Sequence, residues 1–366
     1  MLKFIIASLI LLHGLIHLMG FVKAFGLAKI DMLTVNISKP AGLLWLLAGV
    51  LCVVTSIAFI LEKEWWWMIA LPAIILSQLL IILYWQDAKF GSSANLIILI
   101  FTILAFGSWY FNGMVKNEVK TLMAAARPVG KKLVTDDMLS NLPAVVKLWL
   151  QRSNVIGREM IHSVYLKQSG EMRSTPDGKW MPLTAEQWFS AERPGFIWVG
   201  RVNAGLGIKI IARDKYEQGR GQMLIKLLSL FIIADVTGKE TDQSTMLRFL
   251  AETFWFPSAA LSNYLQWKEV DSLNAKVIMT YGGISDSALI RFDNNGDMVS
   301  FETRRYYDRK NGATLENWLI QVEPGGYREF EGIRIPAIST VTWKLKEGAY
   351  TWLKLELTEV HYNKIE

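Results

Sequence analysis

Four charge-free stretches of about 20 residues each dominate the opening of this chain, long enough for a helix to cross a bilayer. They run Phe4–Phe21, Ala41–Leu61, Trp65–Trp85 and roughly Gly91–Phe111. The charges fall between them. Residues 1–112 hold only Lys3, Lys23, Lys29, Lys39, Lys63, Lys89, Asp31, Glu62, Glu64 and Asp87, with no Arg. Aromatic residues mark the edges: Trp65, Trp66 and Trp67, then Tyr84 and Trp85, then Trp109 and Tyr110, as expected at a membrane interface. The reading is four transmembrane helices in residues 1–112, with the first helix uncleaved. The plasma (inner) membrane of a bacterium is the expected location, and the bilayer the first partner. Lys3, Lys63, Lys116, Lys120 and Arg127 on the terminal side balance Lys23, Lys29, Lys39 and Lys89 on the other, so orientation stays open.

Two histidines interrupt the first span. His13 and His17 stand four residues apart and share one helix face. A polar side chain facing lipid is costly, so this face should turn into the bundle, towards Ser77 and Gln78 of the third span. No second helix offers a histidine for haem, and the spans hold no carboxylate for a metal. Neither a metal nor a cofactor is therefore assigned, although redox or proton handling by the pair stays an alternative.

Beyond residue 112 the pattern changes. Residues 113–139 read as a linker with helical character, and 140–366 as a soluble antiparallel α+β domain. Asn141–Gln151 reads as an amphipathic helix capped by Ser140 or Asn141, with Pro143 in its first turn. Thr184-Ala-Glu-Gln187 suggests a capping box opening a helix over 184–192. A longer helical region spans 243–266, broken at Pro257. Strands are expected at 159–167, 196–202, 206–213, 222–234, 276–281, 287–292 and 329–335. Asn295–Gly296 is a strong hairpin signal, TPDG at 175–178 a turn, and 341–360 a hairpin with one buried face. No β-α-β rhythm is present, so the sheet should be antiparallel.

Composition narrows the function classes. The net charge of +6 comes without a dense basic run, which argues against nucleic acid. The single cysteine, Cys52, excludes an intrachain disulfide framework. GRGQM at 219–223 lacks the GxGxxG and GK[ST] patterns and reads as a bend or bulge. DNNGD at 293–297 lacks the later positions of a calcium loop and reads as a turn. No catalytic triad is legible around His162 or His361. What remains is a set of charges (Arg173, Arg201, Arg213, Asp214, Arg248, Glu252, Arg304, Arg305) and nine tryptophans beyond the spans. Arg248 and Glu252 can pair along one helix face. Arg forks suit carboxylate or phosphate, and aromatics commonly line apolar pockets.

The order GKWMPLTAEQWFSAERPGFIWVG, IIARDKYEQGRGQM and LRFLAETFWFPSAAL resembles an uncharacterised bacterial domain family of unknown function. The resemblance covers roughly 140–362 and rests on Trp180, Pro182, Gln187, Pro194, Trp198, Asp214, Tyr216, Gly219, Gly221, Arg248, Glu252, Trp255 and Pro257. The domain is also similar to the curved antiparallel half-barrel of periplasmic lipoprotein carriers, which hold acyl chains. With the four spans read above, the resemblance implies a four-helix transmembrane region followed by a curved, half-barrel-like antiparallel sheet packed with a few helices, and HGLIHLMGFVKAFG resembles the membrane part that some members carry. It implies no established reaction, so no catalytic residue is assigned. The expectation is a non-enzymatic protein that binds an apolar or lipid-like molecule. The expected site is Trp180, Trp198, Asp214, Tyr216, Arg248, Glu252, Trp255, Trp267 and Arg304. The alternative is an enzyme on a lipid or envelope precursor, with Glu252 or Asp214 as acid and base.

Overall fold

The computed structural model describes residues 1–126, 130–205 and 208–364. Arg127 and positions 206 and 207, used in the sequence reading, lie outside the described residues. Two units divide the chain, Met1–Gly113 and Met114–Glu366.

The first unit holds α1 (Leu2–Ala24), α2 (Lys39–Ile60), α3 (Trp66–Leu83), the short α4 (Trp85–Ala88) and most of α5 (Gly91–Ala125). Four of these helices are long and apolar enough to cross a membrane. Their outer surface is apolar, and polar residues join apolar ones in the interior. Leu12, Ile16, Leu43, Leu47, Ile75 and Leu79 are exposed, whereas His13, His17, Thr55, Ser56, Ser77, Asn95 and Thr102 are buried. Apolar residues outside and polar ones inside suit an oily surrounding. Small residues let α1 and α2 approach closely. A Cβ on Gly14 would lie 2.8 Å from Cys52 Cβ, and one on Gly49 would lie 2.9 Å from the Gly14 carbonyl.

In the second unit, α6 (Ala144–Arg152) follows the linker. It begins after Pro143, which acts as N-cap without a side-chain bond, so the expected Ser140 or Asn141 cap is not used. The strands are β1 (Ser163–Met172), β2 (Met181–Ser190), β3 (Gly195–Asn203), β4 (Lys209–Glu217), β5 (Arg220–Leu227) and β6 (Phe231–Thr237). The helix α7 (Lys239–Glu252) and two 3₁₀ turns, Thr253–Trp255 and Pro257–Leu261, interrupt them. The chain resumes with β7 (Leu265–Glu269), β8 (Asn274–Tyr281), β9 (Ile284–Phe292), β10 (Met298–Tyr307) and β11 (Thr314–Val322). A small hairpin of β12 (Tyr327–Phe330) and β13 (Ile333–Pro336) precedes β14 (Ile338–Leu345) and β15 (Gly348–Tyr362).

Thirteen strands form one curled antiparallel sheet in the order β6-β5-β4-β3-β2-β1-β15-β14-β11-β10-β9-β8-β7. The long β15 joins two meanders by pairing with β14 on one side and β1 on the other. Curling brings distant turns together. Gln218–Gly219 closes β4 and β5, Gly282–Gly283 closes β8 and β9, and a Cβ on Gly219 would fall 2.5 Å from Gly282 Cα. With φ of +78° and +61°, Gly219 and Gly282 suit glycine on backbone grounds as well. The expected bend in GRGQM is thus a tight hairpin turn. The helix α7 lies between the wings, packing on β4, β5 and β6 and on β8, β9 and β10. Phe189, Phe196, Phe249, Phe254, Phe256, Phe292, Phe301 and Trp149 are fully buried in one core around it.

Several sequence expectations change. Residues 184–190 belong to β2, not a helix: Leu183, Ala185, Gln187 and Phe189 are buried while Thr184 is exposed. This is a period-2 pattern, hidden in sequence by the polar Gln187 at an inward position. The stretch 222–234 is two strands, turned at Leu228 and Ser229 with φ of 53° and 62°. Leu228 is not a usual turn former, and neither residue is a glycine. Likewise 329–335 is a hairpin turned at Glu331–Gly332. The helical region ends by Leu261, and Leu265–Gln266 are strand. The hairpins at Asn295–Gly296 and after Leu345 stand where the turn chemistry put them.

Candidate functional site

Two buried polar groups stand out, one in each unit. In the first, α1 presents His13 and His17 to Ser77 on α3. His13 Nε2 lies 3.0 Å and His17 Nε2 2.7 Å from Ser77 Oγ. Ser77 Oγ donates to Asn95 Oδ1 at 3.1 Å, so both imidazoles donate from Nε2 and fill the hydroxyl's two lone pairs. Asn95 donates to Gln78, and Gln78 to Ser92. Gln78 therefore supports the cluster through Asn95, a residue the sequence reading did not select. Trp45 packs on His17 with ring centroids 4.9 Å apart. Among the described residues no group of three metal-ligating side chains converges.

The second group lies between α7 and the concave face of the sheet. Arg248 donates from Nη1 to Asp214 at 2.6 Å and from Nε to Glu252 at 2.8 Å. Its guanidinium also covers the rings of Phe196 and Trp198, at 5.0 and 4.8 Å from their centroids. Gln187 holds the other Glu252 oxygen at 2.7 Å, Gln168 donates to Gln187 at 3.1 Å, and Trp198 Nε1 donates to Gln168 at 2.8 Å. Strand register explains the convergence. Gln187 faces Trp198 across β2 and β3, and Trp198 faces Asp214 across β3 and β4. Burial pushes the Glu252 carboxyl above the usual range, with Arg248 and Gln187 opposing. Burial lowers the Arg248 guanidinium, but Glu252 and Asp214 outweigh it and leave the group above its ordinary value.

A second guanidinium sits near this network. Arg305, on β10, stacks on Trp318 at 4.3 Å and Trp343 at 5.9 Å. Trp318 and Trp343 face each other across β11 and β14. Burial, reinforced by Arg248, lowers the Arg305 guanidinium to about 10, against the pull of Asp214 and Glu252. Among the described residues it has no hydrogen-bonded carboxylate. Its Nε is buried without an acceptor, and so are Trp318 Nε1 and Trp352 Nε1. Trp149 Nε1 and Tyr216 OH are also unpartnered but are fully enclosed in the aromatic core. An unsatisfied buried donor costs about 1–3 kcal/mol. Here the Arg305 Nε and two indole N–H groups lack a protein acceptor, while Asp214 Oδ1 in the neighbouring network lacks a donor.

The expected site residues divide. Trp198, Asp214, Arg248 and Glu252 meet in the network. Tyr216 is fully buried in the core against Phe196 and Phe249. Trp255 donates to the Pro336 carbonyl and Trp267 to that of Ala260. Trp180 sits between Arg173 and the exposed Lys354. Arg304 is exposed and donates to the Leu315 carbonyl; strand alternation turns it away from the face that Arg305 shares with Phe301 and Thr303. Parity with those core residues was the available signal for Arg305. Gln168, Gln187, Trp318, Trp343 and Trp352 were also not selected. A pocket of about 400 Å³ in this unit is lined by Lys132, Glu159, His162, Glu192 and Tyr264, without any of the tryptophans.

No curated protein matches the chain. Solved structures similar to it include a DUF1329 family protein from Desulfovibrio piger, at 12% identity and a TM-score of 0.30, covering 60% of this chain and 92% of that one. Another is a putative outer membrane lipoprotein-sorting protein domain from Vibrio parahaemolyticus, at 9% identity and a TM-score of 0.28, covering 56% and 87%. A sequence profile described as "Family of unknown function (DUF6544)" matches residues 132–355, well over half the chain, and the chain belongs to that family.

Proposed function

We propose that this chain is a multi-pass protein of the bacterial inner membrane whose second unit binds an anionic amphiphile, such as a lipid or its precursor, on the concave face of its curled sheet. Arg305 takes the carboxylate or phosphate of the head group, and Trp198, Trp318, Trp343 and Trp352 flank the apolar part. The observation that carries the reading is Arg305 itself, a guanidinium stacked on two indoles with its Nε buried and unpaired. Burying a charge without a partner is costly, and a ligand that supplies the acceptor relieves it. Arg248 is a positioning residue in this account, because Asp214 and Glu252 already occupy it.

The alternative of an enzyme using Glu252 as acid or base has less support. Its two oxygens already accept from Arg248 and Gln187, which hold it in a buried ion pair. Redox or proton chemistry at His13 and His17 also has less support, since Ser77 engages both Nε2 atoms. Mass spectrometry of lipids extracted from the purified full-length protein tests the binding reading. The expected result is a bound anionic amphiphile that Arg305→Met depletes about tenfold or more, in line with a charged hydrogen bond. Equal recovery from both proteins, or none from either, contradicts it.

A further inference from the structure

The strand β6 ends the sheet on one side, and its opening residues are unusual for an edge in water. Phe231, Ile232 and Ile233 are 63%, 62% and 55% exposed. A strand with one buried face alternates; here three consecutive apolar side chains are all outside. The register gives the reason. Leu227 pairs with Phe231 and Lys226 with Ile232, but Ile225 pairs with Ala234, so Ile233 is the extra residue of a bulge. Phe231 and Ile232 therefore point to opposite faces of the strand. The neighbouring turn adds exposed Ile208 and exposed Lys209, which lead into β4 beside the end of β5. Apolar edges of this kind are normally blunted or covered.

The tail of α5 points to what covers this one. Within the second unit, Leu122 lies against the Gly195 end of β3, and Glu118 pairs with Arg213 and Lys215 on β4. Going back towards Met114, the helix therefore leads to the Lys209 end of β4, the end at which Ile208 and Phe231 are exposed. The chain before Met114 is the fourth apolar helix. We propose that the Ile208, Phe231, Ile232 and Ile233 tip is a membrane-docking edge that inserts into a lipid surface. Side chains on both faces of a strand suit a medium that surrounds them, whereas a second protein surface would cover one face. The exposed Lys209 at the same end suits anionic head groups.

The test labels the full-length chain with an environment-sensitive fluorophore at Ile232→Cys or Phe231→Cys, in vesicles of phosphatidylethanolamine and phosphatidylglycerol carrying a nitroxide lipid. Lys239→Cys, just past the other end of β6 and roughly 20 Å away, is the reference site. All three positions are exposed, so the label displaces no core packing, and the unsubstituted chain reports labelling of the buried Cys52. The expected result is a blue-shifted emission at 231 and 232, quenched several-fold more by the nitroxide lipid than emission at 239. Equal quenching at all sites overturns the proposal. A blue shift without lipid quenching also overturns it, because another protein surface then covers the edge.

Discussion

Arg304 and Arg305 are adjacent, chemically identical and opposite in fate. One reaches solvent and a backbone carbonyl, the other two tryptophan faces. Composition alone does not separate them; the parity of β10 does. Residue by residue, the concave site contains one satisfied cation and one unsatisfied one, and they should respond differently to removal. Glu252→Ala strips Arg248 of one carboxylate and should destabilise the domain by about 3–5 kcal/mol. Arg305→Met removes a half-buried cation whose Nε has no acceptor and should leave the ligand-free protein as stable or more so, while weakening binding. Denaturant unfolding of the two variants checks this, and a large loss from Arg305→Met would mean that the protein itself satisfies that guanidinium. A separate residue, His361, should give a pH signature. Hydrogen bonds to Glu331 and Glu359 raise its imidazole above 6.5. Its stabilising contribution is therefore full below 6.5 and lost as pH rises through the higher folded value. His361→Gln should flatten the thermal midpoint against pH on that alkaline side.

At the scale of elements, strands and helices were legible where one rule operated without a competitor. The spans were plain because charge is absent for whole helix lengths. The hairpins at Asn295–Gly296 and around Glu347 were plain because turn residues interrupt an alternating pattern. β2 was missed because its inward face carries Gln187, a core position used for hydrogen bonding, and because a four-residue capping motif coincided with it. β11, with its Glu316 and Asn317, was missed for a similar reason. The turn at Leu228–Ser229 was missed because two non-glycine residues take up positive φ there. Site residues failed in the same way: Gln168 and Gln187 are meaningful only once β1, β2 and β3 are in register. In the helical unit the equivalent dependence is on Ser77, which two helices share. Ser77→Ala leaves His13, His17 and Asn95 short of a partner, and each lost contact should cost about 0.6–2 kcal/mol. A lower thermal midpoint in detergent is the expected outcome, and an unchanged one would make the cluster energetically idle.

For the whole molecule, the two units distribute polar and apolar side chains differently. The first exposes apolar side chains and buries a histidine–serine–asparagine cluster among apolar ones; the second has an aromatic core with charge at its concave face. The curled sheet is filled by α7 and the phenylalanines, and the proposed ligand would meet the part where indoles and guanidinium groups replace phenyl rings. The central claim is that this part prefers an anion on an apolar tail. The most direct measurement compares the affinity of the full-length protein for an alkyl phosphate and for the alcohol of equal chain length, in the wild type and in Arg305→Met. The account predicts a preference for the phosphate of about tenfold or more in the wild type, lost in the variant. Equal affinity for both compounds, or a preference that survives the substitution, would contradict it.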